Sequence, residues 1–205
     1  PPILTQIWSD AYETPEITGL TAVIRPGDRV LELGTGLGIV TALASRATGP
    51  TGRVQSYEAN PALIDATRDF LAAHGCSNTE VIHGVLVPGD TKGTRRFHLA
   101  GSFAESSLLG ATGRNPQGSL DVPALPITEA IATFRPDVLI CDIEGAEAEV
   151  IPAFDASGLR AAVIELHPDR LLPEQISAIS SALLGHGLSP VIPGPGGTVV
   201  LYNRG

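Results

Sequence analysis

Methionine is missing altogether, lysine occurs once, at Lys92, and cysteine only twice, at Cys76 and Cys141. Without even an initiator methionine, the 205 residues read as a chain that has lost some N-terminal residues. Two cysteines so far apart make no metal-ligand spacing and no disulfide framework, which points to a reducing compartment and hence to the cytoplasm. No apolar run approaches the ~18 residues of a membrane-spanning helix. The opening PPILTQIWSDAYE also lacks the charged-then-apolar order of a signal peptide. Cations are scarce, 13 against 22 acids, and a net charge of −9 opposes binding to a polyanion. Nucleic acid and membrane are therefore not expected as partners. Arginine in place of lysine, with abundant Ala, Gly and Pro, points to a GC-rich bacterial source. What remains, 43% hydrophobic and 17% charged, describes one globular domain over residues 1–205.

That domain is organised around RVLELGTGLGIVTALA, residues 29–44. Val30, Leu31 and Leu33 read as a buried strand, and Gly34, Gly36 and Gly38 turn it into an apolar-periodic helix. Glycine lets bare backbone approach a ligand at a helix N-terminus, because no side chain holds the ligand off. A dinucleotide fingerprint G-x-G-x-x-G needs its third glycine where Ile39 stands. The pattern is instead E-x-G-x-G-x-G, and Glu32 at the strand end, facing the loop, suits a cationic ligand better than a pyrophosphate. It resembles the first motif of class I S-adenosylmethionine-dependent methyltransferases.

Taken in order, the chain alternates strands and helices. Thr14-Pro15-Glu16 starts a helix ending at Arg25-Pro26-Gly27-Asp28, an N-terminal cap over residues 1–28; Tyr12 and Glu13 precede it, where the tyrosine either packs at the helix entrance, the favoured reading, or closes with Glu13 over the ligand. A second strand from Arg53 ends in Glu58, where a nucleotide-binding βαβ unit carries the carboxylate that accepts the ribose hydroxyls. Asn60-Pro61 then caps a helix with Leu63, Thr67, Phe70 and Leu71 on one face. The third strand covers residues 79–83 and leads into His83-Gly84-Val85, beside which an adenine is expected. Residues 85–125 read as an irregular, substrate-facing insertion holding one short strand at 95–99. A short helix (128–134) precedes DVLICD, a buried parallel strand delivering Asp142, Glu144 and Glu147; a fifth strand (159–166) delivers Glu165 and His167. A helix from Pro173 and an antiparallel hairpin (188–192 and 198–202) close the chain. The fold class is α/β, Rossmann-like and mostly parallel, with helices on both faces.

Several blocks together resemble the FkbM family of methyltransferases, which act mostly on hydroxyl oxygens of small molecules and sugars. They are VLELGTGLGIVT, YEANP, ESSL at residues 105–108, and DVLICDIEGAEAEVI followed by VIELHP. D-x-E-G-x-E is complete as Asp142, Glu144, Gly145 and Glu147, whereas Cys141 stands where the family usually has lysine. The resemblance implies S-adenosylmethionine as cofactor and S-adenosylhomocysteine as product. Glu32, Gly34, Gly36 and Gly38 would hold its methionine half, Glu58 with Ala59 its ribose, and Gly84 and Val85 its adenine. Asp142, Glu144, Glu165 and His167 would surround the methyl group and a small-molecule hydroxyl acceptor.

Methyl transfer is an in-line displacement, so alignment supplies much of the acceleration, up to ~7–11 kcal/mol. A hydroxyl must also lose its proton, and a positioned base adds ~10²–10⁴-fold. Asp142, Glu144 and His167 are the catalytic candidates, with Asp142 also counted among the cofactor contacts and Glu147 assigned to its own helix end. No metal is required by this reading. One alternative makes Asp142, Glu165 and His167 ligands of a divalent metal. Another keeps the fold as a non-catalytic nucleotide-binding or scaffolding domain, against which the complete D-x-E-G-x-E argues. An NAD-linked oxidoreductase is disfavoured by the glycine spacing.

Overall fold

A computed structural model describes residues 23–90, 92–100, 106–109, 118–191 and 197–205. The N-terminal helix start, Tyr12, Glu13, Glu105 and the turn at 194–196 lie outside them. Seven strands form one sheet: β1 (Arg29–Leu33), β2 (Arg53–Glu58), β3 (Thr79–His83), β7 (Val138–Cys141), β8 (Ala161–Glu165), β9 (Ser189–Val191) and β10 (Val199–Asn203). Their order is β3-β2-β1-β7-β8-β10-β9. The pairings from β3 to β8 are parallel, and β10 runs antiparallel to both β8 and β9. The chain reverses direction along the sheet between β1 and β7, so the crevice at their C-terminal ends is where open α/β folds bind ligands.

Side-chain alternation divides the core in two. Leu31, Leu33, Leu139, Cys141 and Ile164 point to the face covered by α3 (Ile127–Phe134) and α4 (Pro173–Gly185), through Ile127, Phe134, Ile179 and Leu183. Val30, Val54, Val138, Ile140 and Val163 point to the opposite face, covered by Val40 and Ala44 of α1 (Ile39–Thr48). Beside α1, Ile64 and Leu71 of α2 (Pro61–Ala73) pack against Ala42 and Val81. Helices on both faces and a mostly parallel sheet match the sequence reading.

The insertion departs from it. Residues 85–125 contain β4 (Val85–Val87), β5 (Gly93–Leu99) and most of β6 (Gly118–Pro126), joined as a second sheet in the order β4-β6-β5. The prolines of β6 hide it from a pattern search, yet Val122, Ala124 and Pro126 alternate inward. Pro123 is tolerated because β4 pairs only from Ala124 onward, so the missing N–H costs no ladder bond on that side.

Candidate functional site

The glycine loop after β1 is built by close backbone packing. Gly34 has φ +90°, and a Cβ there would stand 1.8 Å from the Asp142 carbonyl oxygen at the end of the neighbouring strand. Gly36 donates its N–H to Glu58 Oε2 at 2.8 Å, while Glu58 Oε1 accepts from Asn60 N–H at 2.7 Å. One carboxylate thus ties the loop after β1 to the turn after β2. Burial raises the Glu58 pKa, against the pull of these backbone donors. Asn60 in turn accepts from Ala62 N–H at 3.1 Å and caps α2.

Above this edge lies a cleft of about 830 Å³, including the part open to solvent. Gly34, Gly36, Glu58, Ala59, Gly84 and Val85 line it, together with Asp142 and Glu144. Phe97 of β5, Ser106 and Leu108 also contribute to its walls. The second sheet therefore reaches the cleft.

Two expected cofactor contacts are absent from its walls. Glu32 is fully buried on the α1 face of β1, where strict alternation puts it alongside Val30; its Oε2 accepts from Thr41 Oγ1 at 2.6 Å. Burial pushes its pKa up to about 7, opposed by the Ser56 and Thr41 hydroxyls. Glu32 thus anchors α1 beneath the loop instead of facing the ligand. Gly38 is the N-cap of α1 at φ +80°, and a Cβ there would meet Thr67 Cγ2 at 2.7 Å, so α2 packing accounts for it. His83 also turns away, its Nε2 lying 3.2 Å from the Ala59 carbonyl.

At the ends of β7 and β8, Asp142, Glu144 and His167 come together. His167 Nε2 lies 3.5 Å from Asp142 Oδ1 and 3.6 Å from Glu144 Oε2, and its Nδ1 lies 3.2 Å from Glu147 Oε1. Glu147, wholly buried, also accepts from Ile143 N–H at 3.0 Å, so it closes its own turn and orients the imidazole. Glu144 adopts φ +56°, uncommon for a residue with a side chain. Ser107 Oγ holds its carbonyl at 2.8 Å and Arg170 Nη2 its carboxylate at 3.0 Å. Burial pushes the Glu144 pKa up to about 7, with His167 pulling the other way. Burial pulls the His167 imidazole down, but the carboxylates of Glu147, Asp142 and Glu144 outweigh it, and the net shift is upward.

Glu165 joins neither the cleft nor this group, because alternation along β8 places it with Val163, on the α1 face. Glu144 stands in its place beside Asp142 and His167. Arg170 and the Ser106–Ser107 pair were not singled out as site residues. The serines belong to the ESSL block, but only the antiparallel bridge between His98 and Ser107 carries them to the strand end.

A parallel sheet with a glycine-turned first strand, a ribose-type carboxylate after the second and acids after the strand beyond the crossover defines a class I S-adenosylmethionine-dependent methyltransferase. Residues 35–183 match the family described as the Methyltransferase FkbM domain, and the chain belongs to that family. Its cofactor is accordingly S-adenosylmethionine. The cleft fits that group: bare backbone at Gly34 and Gly36, a carboxylate for ribose hydroxyls, and acids opposite for a cationic ligand.

Curated relatives include a protein-L-isoaspartate O-methyltransferase of Ignicoccus hospitalis, 32% identical over 99 residues, which are 48% of this chain and 44% of that protein. The tRNA (adenine(58)-N(1))-methyltransferase TrmI of Thermus thermophilus is 34% identical over 115 residues, 56% of this chain and 38% of that protein. The chain thus spans less than half the length of these relatives. Among solved structures, the precorrin-6y C5,15-methyltransferase of Geobacter metallireducens superposes with a TM-score of 0.53 at 15% identity, covering 96% of this chain and 88% of the other. Aeropyrum pernix fibrillarin, solved with natively bound S-adenosyl-L-methionine, gives 0.53 at 15%, covering 91% and 74%. At such identities these two establish the fold. No helix among the described residues is long and apolar enough to cross a membrane.

Proposed function

We propose that this chain methylates a hydroxyl oxygen of a small molecule or sugar. The observation that carries the reading is that Asp142 and Glu144, with His167 beside them, face the same cleft as Gly34, Gly36 and Glu58. Bound S-adenosylmethionine supplies an electrophilic methyl group. The chain's own residues do the rest. Glu58, with both oxygens already fixed by backbone N–H groups, presents its remaining lone pairs to ribose hydroxyls at no further ordering cost. Glu147 Oε1 lies 3.2 Å from Nδ1, and Nε2 is turned toward Asp142 and Glu144. An acceptor hydroxyl at this cluster meets three groups able to take its proton. Phe97 and Leu108 supply apolar walls that exclude water.

The curated relatives act on protein isoaspartate and on tRNA adenine by their names, so the acceptor is the point to test. Radiolabelled cofactor should be incubated with panels of sugars, small hydroxylated compounds, peptides and RNA. Label in a small, alkali-stable product is expected, since an ether survives base whereas a carboxyl methyl ester does not. Label confined to protein or RNA would overturn the proposal.

A further inference from the structure

We propose that Asp142, Glu144 and His167 bind a divalent cation, which positions and acidifies the acceptor hydroxyl; this rests on the reading of the chain as a hydroxyl-directed methyltransferase. One ligand atom from each residue lies within 4.8 Å of the others, at the acceptor side of the cofactor cleft.

Spacing is the first argument. His167 Nε2 stands 3.5 and 3.6 Å from the two carboxylate oxygens. A charge-assisted N–H···O bond contracts to about 2.7–2.9 Å, so neither contact is one. Ligands each about 2.0–2.2 Å from a shared ion are separated by about 3.0–3.5 Å, close to the spacing found.

The second argument is the imidazole itself. His167 is only 8% exposed, and Nε2 is aimed into the cluster without a hydrogen bond of normal length. Glu147 Oε1 faces its Nδ1 at 3.2 Å. A buried carboxylate on the far nitrogen is how metal-ligating histidines are oriented and made more basic. Glu147 is wholly buried and its Oε2 has no hydrogen-bond partner, an acid retained in the interior at a cost unless a nearby positive charge offsets it.

Charge supplies the third argument. With the three acids ionised and the imidazole neutral, the forms in which such groups ligate a metal, Asp142, Glu144 and Glu147 contribute −3 and Arg170, paired to Glu144 at 3.0 Å, contributes +1, leaving −2. A divalent ion balances that sum. Two oxygens and one imidazole nitrogen suit a first-row divalent ion such as Mn²⁺ better than Mg²⁺, and three protein ligands leave positions for water and an acceptor oxygen. A bound hydroxyl loses its proton more readily, so with these three side chains ligating the ion the proton passes to water in the open cleft as the oxygen takes the methyl group.

Direct Mn²⁺ binding, followed by the loss of the free-ion electron paramagnetic resonance signal, tests this without turnover. The parent chain should take up about one Mn²⁺. Glu144→Gln and His167→Gln should each bind at least tenfold more weakly while keeping the parent's circular dichroism, and His167→Gln, which does not line the cleft, should keep S-adenosylhomocysteine affinity within twofold. Glu165→Gln, outside the cluster, should bind Mn²⁺ as the parent does. Absence of Mn²⁺ binding in a parent that binds S-adenosylhomocysteine would overturn the metal site and leave the methyltransferase reading standing. Equal Mn²⁺ affinity in the parent and both cluster variants would likewise overturn it. Loss of Mn²⁺ binding in the variants with label found only in protein or RNA would keep the site and overturn the hydroxyl reading.

Discussion

The ends of β1 and β7 are neighbours in the sheet, and each carries acids, yet they are built on opposite principles. At the β1 end the work is done by backbone: Gly34 is pressed against the Asp142 carbonyl, Gly36 donates to Glu58, and Glu32 is sealed beneath α1. At the β7 end side chains do it, with Asp142, Glu144 and His167 gathered within a few ångströms and held by Glu147, Ser107 and Arg170. A loop that must bring its backbone near a ligand tolerates no side-chain bulk, so its constraints are steric. A cluster that handles charge depends on exact partners, so its constraints are electrostatic.

The largest effect should come from the steric end. Gly34→Ala forces a Cβ into the Asp142 carbonyl at a positive φ, which should cost more than about 3 kcal/mol of stability through overpacking and backbone strain. Denaturant midpoints check this, and an unchanged midpoint would mean that the two strand ends are not so closely apposed.

Next comes Glu32, the buried acid of the β1 end. Its pKa rises from 4.5 to about 7 on folding, chiefly through burial. The unfolded chain therefore releases this proton first, and stability falls as pH rises through that window, then levels off. The contribution is about 3 kcal/mol. Glu32→Gln should lack that part of the pH dependence in denaturation curves measured between these limits. Parallel curves for parent and variant would contradict the assignment.

How legible these ends were follows from the same contrast. Gly34, Gly36 and Glu58 are marked by their spacing in the sequence, and all three line the cleft. Glu32 and Gly38 sit in the same motif but serve helix packing, because a period of two turns Glu32 to the α1 face and α2 crosses directly over Gly38. The motif names the residues without separating those that meet the ligand from those that support the ones that do. At the β7 end, Asp142, Glu144 and His167 were identifiable as acids and a histidine on successive strand ends. That Glu144 belongs with them and Glu165 does not is decided by alternation and by the left-handed backbone at Glu144. Ser107 and Arg170 come from distant segments, and only the folded chain brings them in. The second sheet stayed hidden because β6 is written with Gly118, Pro123 and Pro126, residues that otherwise mark loops.

The smallest effect belongs to His83, which a sequence reading puts beside the adenine and the structure turns toward the Ala59 carbonyl. His83→Ala should change S-adenosylhomocysteine affinity by less than about twofold, since no neutral hydrogen bond to the ligand, worth ~0.5–1.5 kcal/mol, is lost. A tenfold loss by calorimetry would return the histidine to the cofactor.

The central claim is that, of the two acids at adjoining strand ends, Glu58 faces the cofactor and Glu32 supports the fold. Calorimetric titration of S-adenosylhomocysteine into Glu58→Gln and Glu32→Gln tests it with the same chemical change at both positions. Glu58→Gln should bind at least about tenfold more weakly than the parent, because charge-assisted bonds to the ribose are worth ~1.5–3 kcal/mol each. Glu32→Gln should bind within about twofold of the parent. The reverse result, or equal losses in both variants, would contradict the account.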